Sequence, residues 1–234
     1  MEKKHMPIAI SRLGEDVEGS REPQNMRAIE WLLRQPGGPI TVVTPQKNFA
    51  SDSIKALIKQ RGVTHRSWRG LLTQGLRGRV LSAWPDRKHL NDLWGIDADA
   101  LVVIEWNTEE TQEWIEDNQP ILLLHDRTTP YVPDEEETTP TEPLPNGVDR
   151  ILDYVASMAA GYSSGLKWNE VDKLKADMMN CPDRWKPVTV EQVRAKCKEL
   201  DMRPNDVDTI AELFQRRKDG GSFRVESSYR NFHF

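Results

Sequence analysis

Apolar residues recur at two different spacings along this chain, and the change from one to the other falls near residue 128. Before it, short aliphatic runs alternate with stretches in which apolar positions lie three and four apart. After it, helical spacing prevails almost to the end. The runs at 40–44 (Ile-Thr-Val-Val-Thr), 63–68, 80–84, 100–106 (Ala-Leu-Val-Val-Ile-Glu-Trp) and 121–124 predict strands. Ile8, Ala9 and Ile10 offer one more short strand inside an otherwise polar segment, 1–24. Helices are predicted between the strands. One covers 25–34, with Asn25 as cap and Met26, Ile29, Leu32 and Leu33 on its apolar side; Pro36-Gly37-Gly38-Pro39 stops it. Others cover 51–60 behind Ser51, 86–93 with Asp86 as cap, and 108–117 behind Thr108.

Residues 101–104 and 121–124 are apolar without alternation, as strands covered on both faces must be, and a parallel sheet provides such cover. Strand starts about 20 residues apart leave room for one crossover helix each. The expected fold is therefore α/β, a Rossmann-like or flavodoxin-like, mostly parallel sheet over 25–126, followed by a separate small all-α domain over 148–234. The connecting segment, 127–147, is rich in Pro and Thr and carries the run Glu135-Glu136-Glu137. Such a composition predicts an extended linker. Helices are predicted at 148–160, 169–179, 189–200 with the capping box Thr189-x-x-Gln192, and 205–217 behind Asn205. The tail, 222–234, alternates aromatic and polar residues unevenly and reads as a short hairpin or a docking arm.

Composition narrows the picture. The chain has 234 residues, 37% of them hydrophobic and 29% charged, including eight Trp, enough apolar material for packed cores. No run approaches the roughly 20 apolar residues a membrane helix needs, and no apolar leader follows Met1, so a cytoplasmic protein without a membrane partner is expected. Two cysteines, Cys181 and Cys197, and five scattered histidines give neither a disulfide framework nor a metal-ligand spacing. The net charge is −5. Asp126, Asp134, Glu135, Glu136, Glu137 and Glu142 gather in or beside the linker, so the charge neither establishes nor excludes an anionic partner.

Open parallel sheets bind ligands beyond the carboxyl ends of their strands. Those ends carry Lys47, Arg69, Asp86 and Arg87, Glu105 and Asn107, and His125, Asp126 and Arg127. The candidate ligand-binding residues are Lys47, Arg69, Arg87 and Asn107; the candidate catalytic groups are Glu105, His125, Asp86 and Asp126. The amides opening the helices near Ser51, Asp86 and Thr108 are candidate phosphate sites. Two absences weigh against common chemistries. No Gly-x-x-x-x-Gly-Lys-Ser/Thr occurs, and the turn after 40–44 is Thr44-Pro45-Gln46-Lys47 rather than a glycine-rich dinucleotide loop. Gly161-Tyr162-Ser163-Ser164-Gly165 has the Gly-x-Ser-x-Gly spacing but lies between two predicted helices, without the preceding strand that a nucleophile elbow needs.

In the helical half, 189–217 has the layout of a helix-turn-helix, with Asp201 where its turn usually places Gly. Asn205, Thr209, Gln215, Arg216, Arg217 and Lys218, with Arg224 beyond, are the candidate nucleic-acid contacts. Asp206, Asp208 and Glu212 on the same helix would oppose phosphates. The reading that follows is a non-catalytic binding or adaptor protein. It would pair an α/β ligand-sensing domain with a helical domain for nucleic acid or another protein, and would need no cofactor. The alternative is a metal-dependent hydrolase or nuclease acting on a phosphate-containing substrate, with Mg²⁺ held by Glu105, Asp86 and Asp126. A third possibility, an oligomeric structural protein, has no sequence feature of its own.

Overall fold

A computed structural model describes residues 6–14, 19–71, 73–133, 144–160 and 165–234. The chain divides into two compact units, Met1–Glu136 and Glu137–Phe234.

The first unit is a seven-stranded sheet wound with helices on both faces. Its elements run β1 (Ile8–Ser11), α1 (Glu22–Arg34), β2 (Ile40–Thr44), α2 (Asp52–Ile58), β3 (Val63–Ser67), β4 (Arg79–Ala83) and α3 (Arg87–Asp92). They continue with β5 (Ala100–Ile104), α4 (Thr108–Asn118), β6 (Ile121–Leu123) and β7 (Thr128–Pro130). The spatial order is β3-β2-β4-β5-β1-β6-β7. Every neighbouring pair is parallel except β6 and β7. The expected parallel α/β layer is thus present, with two additions.

The first addition is β1, the short run that the sequence offered inside a polar segment. It lies between β5 and β6, with Ala9 facing Val102 and Ile121 across the two ladders. Four residues suffice because both faces are covered: Ala9 joins the core under α1 and α2, and Ile10 the core under α3 and α4. The second addition is β7. Its residues, in the predicted linker, pair antiparallel with β6, and Tyr131 packs on the α3/α4 core. Residues 134–143 of the linker lie outside the described residues.

Alternation along β5 explains its unbroken hydrophobicity. Ala100, Val102 and Ile104 meet the α1/α2 layer; Leu101 and Val103 meet the α3/α4 layer. All five are buried. Burying aliphatic side chains of this size stabilises by roughly 1.5–3 kcal/mol each.

Three predicted helix starts shift. α1 begins at Glu22, with Pro23 in its first turn, so Asn25 is an interior, buried residue that donates to the Ser51 hydroxyl. The helix predicted behind Asn205 begins at Pro204. Proline suits a first turn, whose N–H groups have no helical acceptor, and its preset φ starts the helix ahead of the asparagine. The cap of α4 is Asn107, whose side chain accepts from the Glu109 N–H, one residue before the predicted Thr108. Ser51 and Asp86 cap α2 and α3 as predicted.

The second unit contains α5 (Val148–Ala160), α6 (Trp168–Asn180), α7 (Pro182–Trp185), α8 (Val190–Glu199) and α9 (Pro204–Lys218). Leu152, Val155, Leu174, Met178, Val193, Cys197, Ile210 and Phe214 form its core. Burial pushes the Cys197 thiol up to about 12, which leaves it an inert apolar group. The Thr189–Gln192 capping box is present in full. Asp177, fully buried, ties the unit together: it accepts from Arg184 (2.8 Å), from the Trp185 indole (2.8 Å) and from the Phe234 N–H (2.9 Å). The tail is not a hairpin. It docks, with Phe223 and Phe234 against the helical core and the Asn180 amide donating to the carbonyls of Arg230 and Phe232.

Gly78 has φ +69°, and a Cβ there would sit 2.2 Å from the Pro39 carbonyl oxygen, a backbone atom beside the start of β2. Gly78→Ala should therefore cost the α/β unit about 3 kcal/mol, from left-handed strain plus overpacking. Urea unfolding followed by tryptophan fluorescence measures it, and an unchanged midpoint would contradict this packing.

Candidate ligand-binding cleft

β2 is followed by α2 on one face of the sheet, whereas the neighbouring strand β4 is followed by α3 on the other. The chain leaves the two strands in opposite directions, so a crevice opens beyond their ends. It measures about 420 Å³. The loop after β2 contributes Pro45, Gln46, Asn48 and Phe49 to its lining. The loop after β4 and α3 contribute Trp84, Asp86 and His89; Trp106 and Glu110 come from the end of β5 and from α4.

Its aromatic wall is positioned by backbone and packing. Trp84 has φ +53°, a left-handed conformation that a bulky residue rarely takes, and its N–H donates to the Ile104 carbonyl at 3.0 Å. Phe49 meets Trp84 edge-on at 5.9 Å. Trp106 is 51% exposed and carries the Arg21 guanidinium 4.2 Å from its ring centroid. Burial, opposed by the Glu105 charge, lowers the Arg21 pKa from its ordinary value. His89 stacks on Trp68 at 4.5 Å and lies 2.7 Å from the Asp86 carboxylate.

Glu105 lies at the end of β5 but does not line the cleft. Its side chain is fully buried. The carboxylate accepts from Arg12 Nε (3.1 Å), from the Leu13 N–H (2.6 Å) and from the Thr111 hydroxyl. Its backbone carbonyl accepts from the Gln24 side chain at 2.9 Å and from Arg21 at 3.3 Å. A carboxylate so fully engaged has little freedom to bind a metal or move a proton.

The helix ends that the sequence marked for phosphate are occupied by the protein's own acceptors. At α2, the Glu22 carboxylate takes the Asp52 and Ser53 N–H groups (2.9 and 3.1 Å), and the Ser51 hydroxyl takes that of Ile54. At α3, Glu110 accepts from the Arg87 N–H and Asp86 from that of His89. At α4, Asn107 takes the Glu109 N–H.

The candidate residues from the sequence do not gather at one point. Asp86 lines the cleft, and Asn107 caps α4 beside it. Arg87 is turned to an ion pair with Glu113. Lys47 lines a different hollow with Lys55, Lys59 and His65. There burial, and secondarily the Lys47 charge, lower the His65 pKa. Arg69 is exposed after β3, and His125 and Asp126 are exposed after β6, with Asp126 paired to Arg127 at 2.9 Å. No group of three or more His, Cys, Asp or Glu among the described residues is placed to hold a metal ion, so Glu105, Asp86 and Asp126 form no common site.

On α9, the Thr209 hydroxyl donates to the Asn205 carbonyl and Gln215 to Asp219. Arg216 donates to the Ser222 carbonyl, Arg217 to those of Met178 and Gly221, and Lys218 to that of Lys186. Arg224, in the tail, is exposed. No described helix is long and apolar enough to cross a membrane. Comparison with protein-family models, curated proteins and solved structures finds no match to this chain.

Phe49, Asn48, Gln46 and Glu110 were missed as site residues because nothing local marks them. The signal that existed was the tryptophan following each of two strands, Trp84 after β4 and Trp106 after β5, which also suits a plain sheet rim.

Removing the Glu105 carboxylate strands Arg12 and two hydrogen-bond donors. Glu105→Ala should destabilise the α/β unit by about 3–5 kcal/mol, as loss of one partner of a buried ion pair does; chemical denaturation reads it out. Glu22 makes a second, pH-dependent case. Burial raises its pKa, but hydrogen bonds from Ser53, Ser51 and the Asp52 N–H outweigh this, and the net value lies below the usual carboxylate range. A lowered carboxylate pKa stabilises at neutral pH, and the benefit fades as pH falls through the lowered value. Glu22→Gln should therefore lower the melting temperature at neutral pH, with the gap closing in acid. A gap independent of pH would contradict the charged N-terminal contact.

Proposed function

We propose that this chain is a non-catalytic binding or adaptor protein, whose α/β unit takes a ligand in the cleft over β2, β4 and β5 and whose helical unit engages a protein partner. The observation that carries this reading is the self-occupation of the groups phosphate chemistry would use. The helix-end amides are held by Glu22, Asp86, Glu110 and Asn107, and the strand-end carboxylate Glu105 by Arg12, Leu13 and Thr111. A Mg²⁺-dependent hydrolase or nuclease would need those groups open.

A protein partner is preferred to nucleic acid because, on α9, Arg216, Arg217 and Lys218 donate to backbone carbonyls of their own unit, which weighs against phosphate contacts. Asp208, on the same helix, pairs with Arg194. One observation favours duplex DNA as a second reading: Asp201, in the turn before α9, has φ +52°, the left-handed conformation for which helix-turn-helix turns usually employ Gly.

The test uses the full chain. Mg²⁺ with inorganic phosphate, or with a nucleoside triphosphate, should leave the tryptophan fluorescence unchanged and yield no hydrolysis. Turnover that disappears in Glu105→Gln while the variant stays folded would replace the binding reading with the enzymatic one. Duplex DNA titrated at low salt should give flat curves. Saturable binding that weakens steeply with salt would assign nucleic acid to the helical unit instead.

A further inference from the structure

Charge and ring placement in the cleft select a class of ligand. Phe49, Trp84 and Trp106 supply aromatic surface, and Asp86 and Glu110 supply two carboxylates, while neither Lys nor Arg is among the lining residues. Aromatic faces carry negative potential and attract cations, most strongly organic cations whose diffuse charge is easily stripped of water. Trp106 already displays that affinity, for the Arg21 guanidinium stacks over it. The volume, about 420 Å³, falls within the roughly 300–1,000 Å³ typical of small-molecule sites. A phosphate or carboxylate ligand would meet two carboxylates and neither Lys nor Arg in the lining, and the one imidazole there, His89, is engaged by Asp86 at 2.7 Å.

We infer that the cleft over β2, β4 and β5 binds a small organic cation, of the quaternary ammonium or alkylated amine class, between the Phe49, Trp84 and Trp106 rings and the Asp86 and Glu110 carboxylates. The inference rests on the ligand-binding reading of this same cleft and adds the charge and type of its occupant. Binding has two components. The rings supply cation–π attraction and apolar contact, and the carboxylates supply the field that separates a cation from its uncharged isostere.

Choline and its neutral isostere 3,3-dimethylbutan-1-ol are the probes, titrated by calorimetry and by the indole N–H signals of the full chain. Trp106→Phe assigns one of those signals. Choline should saturate and shift the Trp84 and Trp106 signals, with the alcohol binding at least about tenfold more weakly. The double substitution Asp86→Asn and Glu110→Gln keeps an oxygen acceptor for both helix caps and removes only the charge. It should weaken choline about tenfold and leave the alcohol unaffected. Equal affinity for choline and the alcohol would overturn the cation inference and leave a ligand-binding cleft standing. So would choline binding that is indifferent to the double substitution. If choline, the alcohol and indole all fail to shift Trp84 or Trp106, the binding reading of the cleft falls as well.

Discussion

The α/β unit turns on one buried carboxylate. Glu105 leaves the sheet at the end of β5, and water is excluded from its side chain. A charge in that position is tolerable only when matched and hydrogen-bonded. The partners come from separate segments. Arg12 and Leu13 follow β1, Thr111 lies in α4, and Gln24 and Arg21, at the start of α1, hold the backbone carbonyl of the same residue. This fixes where the chain leaves β1, enters α1 and enters α4. Those three points set the rim on which Trp106 and Glu110 stand.

The same economy recurs around the cleft. At α2, α3 and α4 a first-turn N–H is taken by a side chain of the protein, so the positive ends of these helix dipoles face internal carboxylates or an amide. What remains open to solvent is aromatic surface edged with negative charge. The left-handed backbone at Trp84 brings a large ring to that edge. Strain of this kind persists only where the surroundings enforce it, and here the ladder-like bond to Ile104 does so.

In the helical unit Asp177 performs the tying role that Glu105 performs in the sheet. Buried in α6, it binds Arg184 and Trp185 of α7 and the backbone of Phe234. The tail is thereby part of the fold. It also accounts for the basic residues of α9: Arg216 and Arg217 satisfy carbonyls where the chain turns towards the tail, a structural use that their clustering in sequence does not disclose.

Periodicity along the chain was enough to determine most elements, their order and the parallel layer. Unbroken apolar runs such as 101–104 need cover on two faces, and capped segments with apolar residues three and four apart need one buried side. Ser51, Asp86 and the Thr189–Gln192 box were legible for the same reason, since a cap acts within one turn of its own helix. The place of β1 was not legible, because four residues carry too little pattern to distinguish a central strand from a loose end. Nor was the site. Whether Lys47, Arg69, Glu105 and His125 meet depends on strand order and on where each loop turns. Only the tertiary structure decided that Glu105 is spent on Arg12, that Lys47 and His125 lie elsewhere, and that Phe49, Trp84 and Trp106 come together instead. Residues far apart in the chain become neighbours through the sheet, and no local spacing encodes that proximity.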